Sequence, residues 1–210
     1  MASRLHISVF IGIAAAVWAI LLLVDGVTVT GHWFRPFSGV VGAMVLVLLA
    51  FEKWGWRWKA LHPWFVSQPN IQGTWKGELI SLWKDPSTGE GREPIEVYLV
   101  VKQTFSSLRV RLITKESHSD CLVASICDEA GATHSLVGTY RNTPKIAQRE
   151  GSPIHHGGMV LCISHPGYGL LDGEYWTDRG TKGGMRFEQW SPSLIYDFKS
   201  AAGARFRKNR

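Results

Sequence analysis

The chain has 210 residues, a formal charge of +6 and 45% apolar residues, a length that holds one domain of about 100–150 residues plus further segments. Its three cysteines, Cys121, Cys127 and Cys162, are odd in number and form no C-x-x-C pair, which argues against a disulfide framework and a structural zinc site. Reduced thiols of a cytoplasmic domain are the expectation.

The first elements are apolar. Residues 5–24 contain no Asp, Glu, Lys or Arg, and PFSGVVGAMVLVLLAF at 36–51 repeats the pattern. A helix needs about 20 residues to cross a hydrocarbon core of about 30 Å, so two transmembrane helices are expected at 5–24 and 36–54, within a segment 1–60. A cleaved signal peptide is the alternative for the first, but its apolar run exceeds the usual 7–15 residues or so and a second span follows. Lys53, Arg57 and Lys59 follow the second span and Arg4 precedes the first, whereas the loop between them holds only Arg35. That bias places both termini in the cytoplasm of a multi-pass protein. Gly12 with Ala16 and Gly39 with Ala43 have the small-x-x-x-small spacing that lets helices approach closely, within the chain or between copies.

Residues 61–69 read as an interfacial linker. Trp54, Trp56, Trp58 and Trp64 lie around it, where an aromatic belt is expected.

From 70 to 192 the pattern changes to period 2, with runs separated by Gly, Pro, Asn, Asp and Ser. Eight strands are predicted: IQGTWKGELISLW, PIEVYLVVKQT, SLRVRLITKE, DCLVASICDE, THSLVGTYRN, HGGMVLCIS, YGLLDGEYWTD and GGMRFEQW. With short connections and no helix to cover the edges, they close most simply into a compact antiparallel up-and-down β-barrel, lipocalin-like in form. A sandwich is the alternative. Such a barrel encloses side chains or one small ligand.

Gly73-Thr74-Trp75 sits where lipocalin-like barrels begin, with Trp75 plugging one end and Arg186 a candidate to pack over it. The last hairpin puts Tyr175, Thr177, Arg179 and Thr181 on one side and Glu174, Trp176 and Asp178 on the other, with Lys182 at its tip. If the first set faces inward, Arg179 needs a partner, because an isolated buried charge is costly; a phosphate would satisfy it through bidentate contacts. The competing reading leaves Arg179 at the rim, solvated or paired with Asp178. Arg109 and Arg111 share one strand face, and the adjacent Tyr140 and Arg141 combine a flat ring with guanidinium donors, as stacking on a nucleobase and gripping its phosphate require. These are candidates for the same mouth.

No catalytic signature is evident: G-x-S-x-G, H-E-x-x-H and the P-loop are absent, and the adjacent His155 and His156 diverge on a strand, which disfavours a metal pair. No catalytic residue, metal or cofactor is expected. Residues 193–210 form a basic tail, with Lys199, Arg205, Arg207, Lys208 and Arg210, expected to lie solvated or on anionic lipid.

Two spans followed by a barrel that opens with GTWKG and closes with LDGEYWTDRGTKGGMRFEQW resemble one family. With Tyr175, Thr177, Arg179, Thr181 and Gly184 in the pattern Y-x-T-x-R-x-T-x-x-G, the chain is similar to the two-transmembrane, β-strand-rich effectors of CBASS. These are bacterial anti-phage systems in which a cyclic-nucleotide synthase activates a killer protein. The resemblance implies a receptor in the bacterial inner membrane whose barrel binds a cyclic oligonucleotide messenger, here a cyclic dinucleotide, and no DNA or RNA polymer. It further implies that binding drives self-association, that the spans disrupt the lipid bilayer in abortive infection, and that a synthase is the functional partner. The competing reading is a membrane-anchored lipocalin-like carrier or sensor, which predicts an apolar lining up to the mouth.

Overall fold

A computed structural model describes residues 4–24, 37–129, 133–164 and 169–208. The chain divides into two compact units, Met1–Ser67 with Thr104–Ser106, and Gln68–Gln103 with Ser107–Arg210.

In the first unit the apolar stretches are helical, α1 at Arg4–Val24 and α2 at Phe37–Lys53, as expected for runs rich in Ala and Leu without internal proline. Side chains are described for residues 11–20, 23 and 24 of α1 and 41–53 of α2, and among the described residues no helix is long and apolar enough to cross a membrane. Arg35 and its loop lie outside the described residues, as do the side-chain surroundings of Gly39. The two helices pack on each other, yet a Cβ added at Gly12 would meet nothing within 4 Å. Gly12 is therefore not what lets them approach. Beyond α2, Trp56 is buried with Phe65 and Val66 and is surrounded by Phe51, Leu61 and Phe105. This corrects its place in an aromatic belt: Trp54, Trp58 and Trp64 are exposed, but Trp56 is core.

The second unit contains the eight predicted strands: β1 (Gly73–Ser81), β2 (Ile95–Gln103), β3 (Leu108–Thr114), β4 (Ser117–Glu129), β5 (Thr133–Pro144), β6 (His155–Ile163), β7 (Leu171–Thr177) and β8 (Lys182–Ser191). Each is antiparallel to the next and β1 also pairs with β8, so the sheet closes into a barrel rather than splitting into a sandwich. Alternation sends Val97, Leu99 and Val101 of β2, Leu136 and Tyr140 of β5, Leu171 and Tyr175 of β7 and Phe187 of β8 into one core.

Trp75 closes one end of that core. Its indole N–H donates to the Ile71 carbonyl at 2.9 Å, the Gln103 amide accepts from Ile71 N and donates to Pro69 O, both at 2.9 Å, and Trp190 Nε1 donates to Gln72 O at 3.0 Å. Gly73 has φ +137°, and a Cβ there would lie 2.3 Å from Trp190 Nε1, so glycine is required where β1 passes under the Trp190 ring. Arg186 does not cover Trp75. Met185 and Phe187 take the inward positions of β8, which leaves Arg186 outside, 2.7 Å from Glu188 Oε1; the ring beside Trp75 is Trp190, at 6.5 Å.

The described part of the basic tail, to Lys208, is structured. A short helix, α3 (Phe198–Ala202), is capped by the Asp197 carboxylate, which accepts from Ser200 N at 2.7 Å; Arg207–Lys208, β9, then pair with Gln189 and Trp190 of β8. Leu194, Ile195, Phe198 and Phe206 cover Tyr98, Val100 and Ile113 on the outer wall. The reason is legible in VYLVV at 97–101, a run buried on both faces of the sheet, which needs a second layer outside the barrel. The Phe198 ring meets Tyr98 edge-on at 5.5 Å. Phe198→Ala is expected to cost about 2 kcal/mol in chemical denaturation, less than a fully buried ring; an unchanged midpoint would mean that the tail contributes nothing to the domain.

Candidate functional site

The barrel end opposite Trp75 holds a cavity of about 660 Å³. It forms because the apolar layer stops there: inward positions pass from Leu112 to Thr114 on β3, from Tyr140 to Asn142 on β5, and from Tyr175 to Thr177 on β7. Tyr140 and Tyr175, 7% and 8% exposed, make the floor. Burial pushes the Tyr140 phenol above its ordinary range, with smaller contributions from Tyr175, Cys121 and Asp178, so it stays a neutral donor and bonds Trp176 O at 3.4 Å.

Above the floor is a polar band. Asn142 Nδ2 donates to Ser117 Oγ at 3.0 Å and Ser119 Oγ at 2.8 Å, and Thr114 Oγ1 lies 3.1 Å from Ser117 Oγ. Across the β7–β8 turn, Thr177 Oγ1 and Thr181 Oγ1 are 2.6 Å apart. That turn depends on Gly180 at φ +75°, with Thr177 N donating to Thr181 O at 2.9 Å.

Arg179 crowns the turn at the rim. Its Nη1 lies 3.0 Å from Ser152 Oγ, to which it donates, and 3.4 Å from His155 Nδ1. Asp178 is engaged elsewhere, accepting from His156 N at 2.9 Å and lying 3.7 Å from His156 Nδ1. Among the described residues no carboxylate pairs with Arg179. The rim placement of the competing reading is thus observed, but the Asp178 pairing is not. His155 lines the cavity while His156 faces out, diverging as adjacent strand residues must.

Tyr140, Tyr175, Thr177, Arg179 and Thr181 therefore line one cavity. Arg109, Arg111, Arg141 and Lys182 do not, and each departure has the same cause. Val110 and Leu112 take the core side of β3, so Arg109 and Arg111 are outside; Arg111 Nε and Nη2 hold Asp120 at 2.5 and 3.0 Å, beside a separate hollow that Arg109 shares. Arg141 follows the inward Tyr140, and Lys182 precedes the buried Gly183, so both are exposed on the outer wall.

Two lining residues escape sequence reasoning. Trp83 and Arg92 sit in the β1–β2 connection, where the Arg92 guanidinium lies over the Trp83 ring, 4.8 Å from its centroid. Trp83 reads as the end of β1, and Arg92 lies in a turn-rich stretch without periodicity. Asn142 was within reach, since it lies two residues past Tyr140 and hence on the same face.

The family described as "Cap15, cyclic dinucleotide receptor domain" matches residues 66–189. The chain belongs to this family. It is 27% identical over 185 residues to CD-NTase-associated protein 15 of Staphylococcus schleiferi, covering 88% of this chain and 96% of that one. The protein of the same name from Yersinia aleksiciae is 29% identical over 145 residues, 68% of this chain and 64% of that one. The likeness to CBASS effectors read from the hairpin motif is borne out. Residues 66–189 span the barrel from β1 into β8 and the cavity lining other than Phe198, but not α1 or α2.

Cys121 is a neighbour of the site, paired in register with Tyr140. Burial, and then the Asp120 charge, push its thiol up to about 12, whereas Cys127 and Cys162 are exposed. The thiolate is the reactive form, so Ellman's reagent at pH 8 should titrate two thiols promptly and the third only on unfolding, and Cys121→Ser should remove the slow one. Three equal rates would contradict the burial.

Proposed function

We propose that this Cap15 family member is a CBASS anti-phage effector: its barrel takes a cyclic dinucleotide into the cavity between Tyr140, Tyr175, Thr177, Arg179 and Thr181. Binding promotes self-association, and α1 and α2 disrupt the inner membrane. The observation that carries the reading is Arg179, a guanidinium that donates to the Ser152 hydroxyl, and to no carboxylate among the described residues, at the rim of a polar-lined cavity. A doubly negative messenger needs a cation without a competing carboxylate, and a guanidinium grips phosphate bidentately. The volume falls within the range of about 300–1,000 Å³ usual for small-ligand sites. Tyrosines supply flat walls for bases, and the Thr, Ser and Asn groups supply directional contacts. The polar band also weighs against the apolar carrier, whose lining should stay aliphatic to the mouth.

The membrane part rests on the helices' composition and exposure. A helix of 21 residues is about 30 Å long, and Leu23 and Leu46 are 81% and 68% exposed, apolar surface that lipid would cover. With the charge bias read above, the barrel faces the cytoplasm, where a synthase would release the messenger. Ligand drives assembly only as far as it binds the assembled state more tightly than the resting one.

Isothermal titration of the full-length protein in detergent with a panel of cyclic dinucleotides tests the receptor. Arg179→Ala should raise Kd at least about tenfold, a charged hydrogen bond being worth about 1.5–3 kcal/mol, and Arg179→Lys should recover part of it. Binding of an apolar dye but of no cyclic dinucleotide would move the reading to the carrier. Reconstituted into dye-loaded vesicles, the wild type should release dye only when the messenger is added; leakage independent of messenger would separate the helices from the receptor.

A further inference from the structure

The β1–β2 connection is longer than closing the barrel requires, and its extra residues are spent on a built hairpin. Leu82 N donates to Lys182 O at 2.9 Å, which carries the β1 ladder past Ser81 and fixes the chain at the cavity lip beside the β7–β8 turn. Lys84 then bridges Gly91, Asp85 N donates to Glu90 O at 2.9 Å, and Gly89 N donates to Asp85 O at 2.8 Å. The Asp85 carboxylate closes the tip by accepting from Ser87 N at 2.7 Å and from Thr88 N at 3.3 Å. Local contacts of the hairpin itself therefore define the tip, and the residues of the connection that line the cavity are Trp83, Arg92 and Glu93.

Neither Trp83 nor Arg92 belongs to a hydrophobic core cluster. Trp83 is not among the residues of the barrel core or those packed against it, and it remains half-buried at a polar opening. Among the described residues no carboxylate forms an ion pair with Arg92. Glu93 also lines the cavity, while the nearby Glu96 is engaged by the Tyr98 hydroxyl and by Lys76 Nζ at 3.0 Å. The partner Arg92 does have is the face of Trp83, and cation–π contact holds a guanidinium in place without neutralising it.

We propose that this hairpin is the second recognition element of the messenger site, with Trp83 as the platform on which one base stacks and Arg92 as the second phosphate-binding cation. The inference rests on the receptor reading above and extends it to residues outside the Y-x-T-x-R-x-T hairpin. A cyclic dinucleotide carries two phosphates and two bases, and Arg179 accounts for one phosphate only. Arg92 enters the cavity from the β1–β2 hairpin, while Arg179 reaches toward Ser152 and His155 on the side of β6. The two guanidinium groups are thereby anchored on different parts of the rim. Base stacking on an aromatic ring needs a planar face rather than a particular base, so the hairpin supplies affinity, while hydrogen-bonding groups below it supply choice of base.

The test is titration calorimetry of full-length wild type, Trp83→Phe, Trp83→Leu, Arg92→Ala and Arg179→Ala with the cyclic dinucleotide that binds wild type best, at two salt concentrations, alongside thermal melts. Trp83→Leu should weaken binding about 10- to 100-fold, as loss of one stacked base does, while Trp83→Phe stays within about fivefold and the melting temperature holds. Arg92→Ala should weaken binding about tenfold and flatten its dependence on salt, as loss of a phosphate contact does. If wild type binds and Arg179→Ala weakens binding while both Trp83→Leu and Arg92→Ala match wild type, the hairpin inference is overturned and the receptor stands. Loss of binding in Arg92→Ala with an unchanged salt dependence would remove Arg92 from the phosphate. If wild type binds no cyclic dinucleotide, the receptor reading falls and the hairpin's role with it.

Discussion

Closure of β1 onto β8 is the constraint on which the rest of the domain depends. Once the sheet is a ring, every strand must send alternate residues inside, and no side chain can change face without a bulge. The parity that buries Leu171 and Tyr175 therefore also sends Thr177 into the mouth. The same rule puts Arg111 and Arg186 outside, where each finds a carboxylate. Arg179, by contrast, lies on the β7–β8 turn, beyond the reach of that rule, and pairs with no carboxylate among the described residues.

The two ends of the ring are unlike because their inward residues are unlike. At one end Trp75, Ile71, Gln103 and Trp190 interlock through hydrogen bonds that use up the polar atoms of the plug, so that end is closed without unsatisfied donors. At the other end the inward positions carry hydroxyls and an amide that bond their neighbours along the rim, between β4 and β5 and within the β7–β8 turn. Thr114 and Thr177 also engage the backbone of Ser117 and Thr181, which holds these groups in register at the lip. A cavity of this kind is preorganised, and ordering its lining on binding costs little.

Much of this was legible in the sequence because period-2 alternation is a local signal. The eight strands, the barrel, the Trp75 end and the inward Tyr175 and Thr177 follow from it, whereas Arg179 and Thr181 lie on the β7–β8 turn, where alternation ends. Arg109 and Arg111 show where it stops: alternation says that they share a face, and only the stronger claim of Val110 and Leu112 on the core says which face. The tail shows another limit. Phe198 and Phe206 are separated by KSAAGAR, which shows no clear period, and their role depends on the outward Tyr98 a hundred residues earlier, a long-range pairing that local patterning does not encode. Trp83 and Arg92 fall in the same class, since a hairpin stabilised by Asp85 and Gly89 has no hydrophobic period to read.

The state of Arg179 bears on how the proposed site would distinguish a messenger from the many anions of a cell. Were it paired with Asp178, a ligand would first have to break an ion pair, and the exchange of one anion for another would yield little. The chain instead commits Asp178 to the backbone and ring of His156, a use that also pins the start of β6 to the β7–β8 turn. Arg179 is left with the Ser152 hydroxyl, a contact that orients the guanidinium without cancelling its charge. A single phosphate gains from this only one exposed contact, which water screens heavily. A ligand that fills the cavity excludes that water and meets the polar band at the same time, so the interaction strengthens with the fit of the whole molecule rather than with its charge alone.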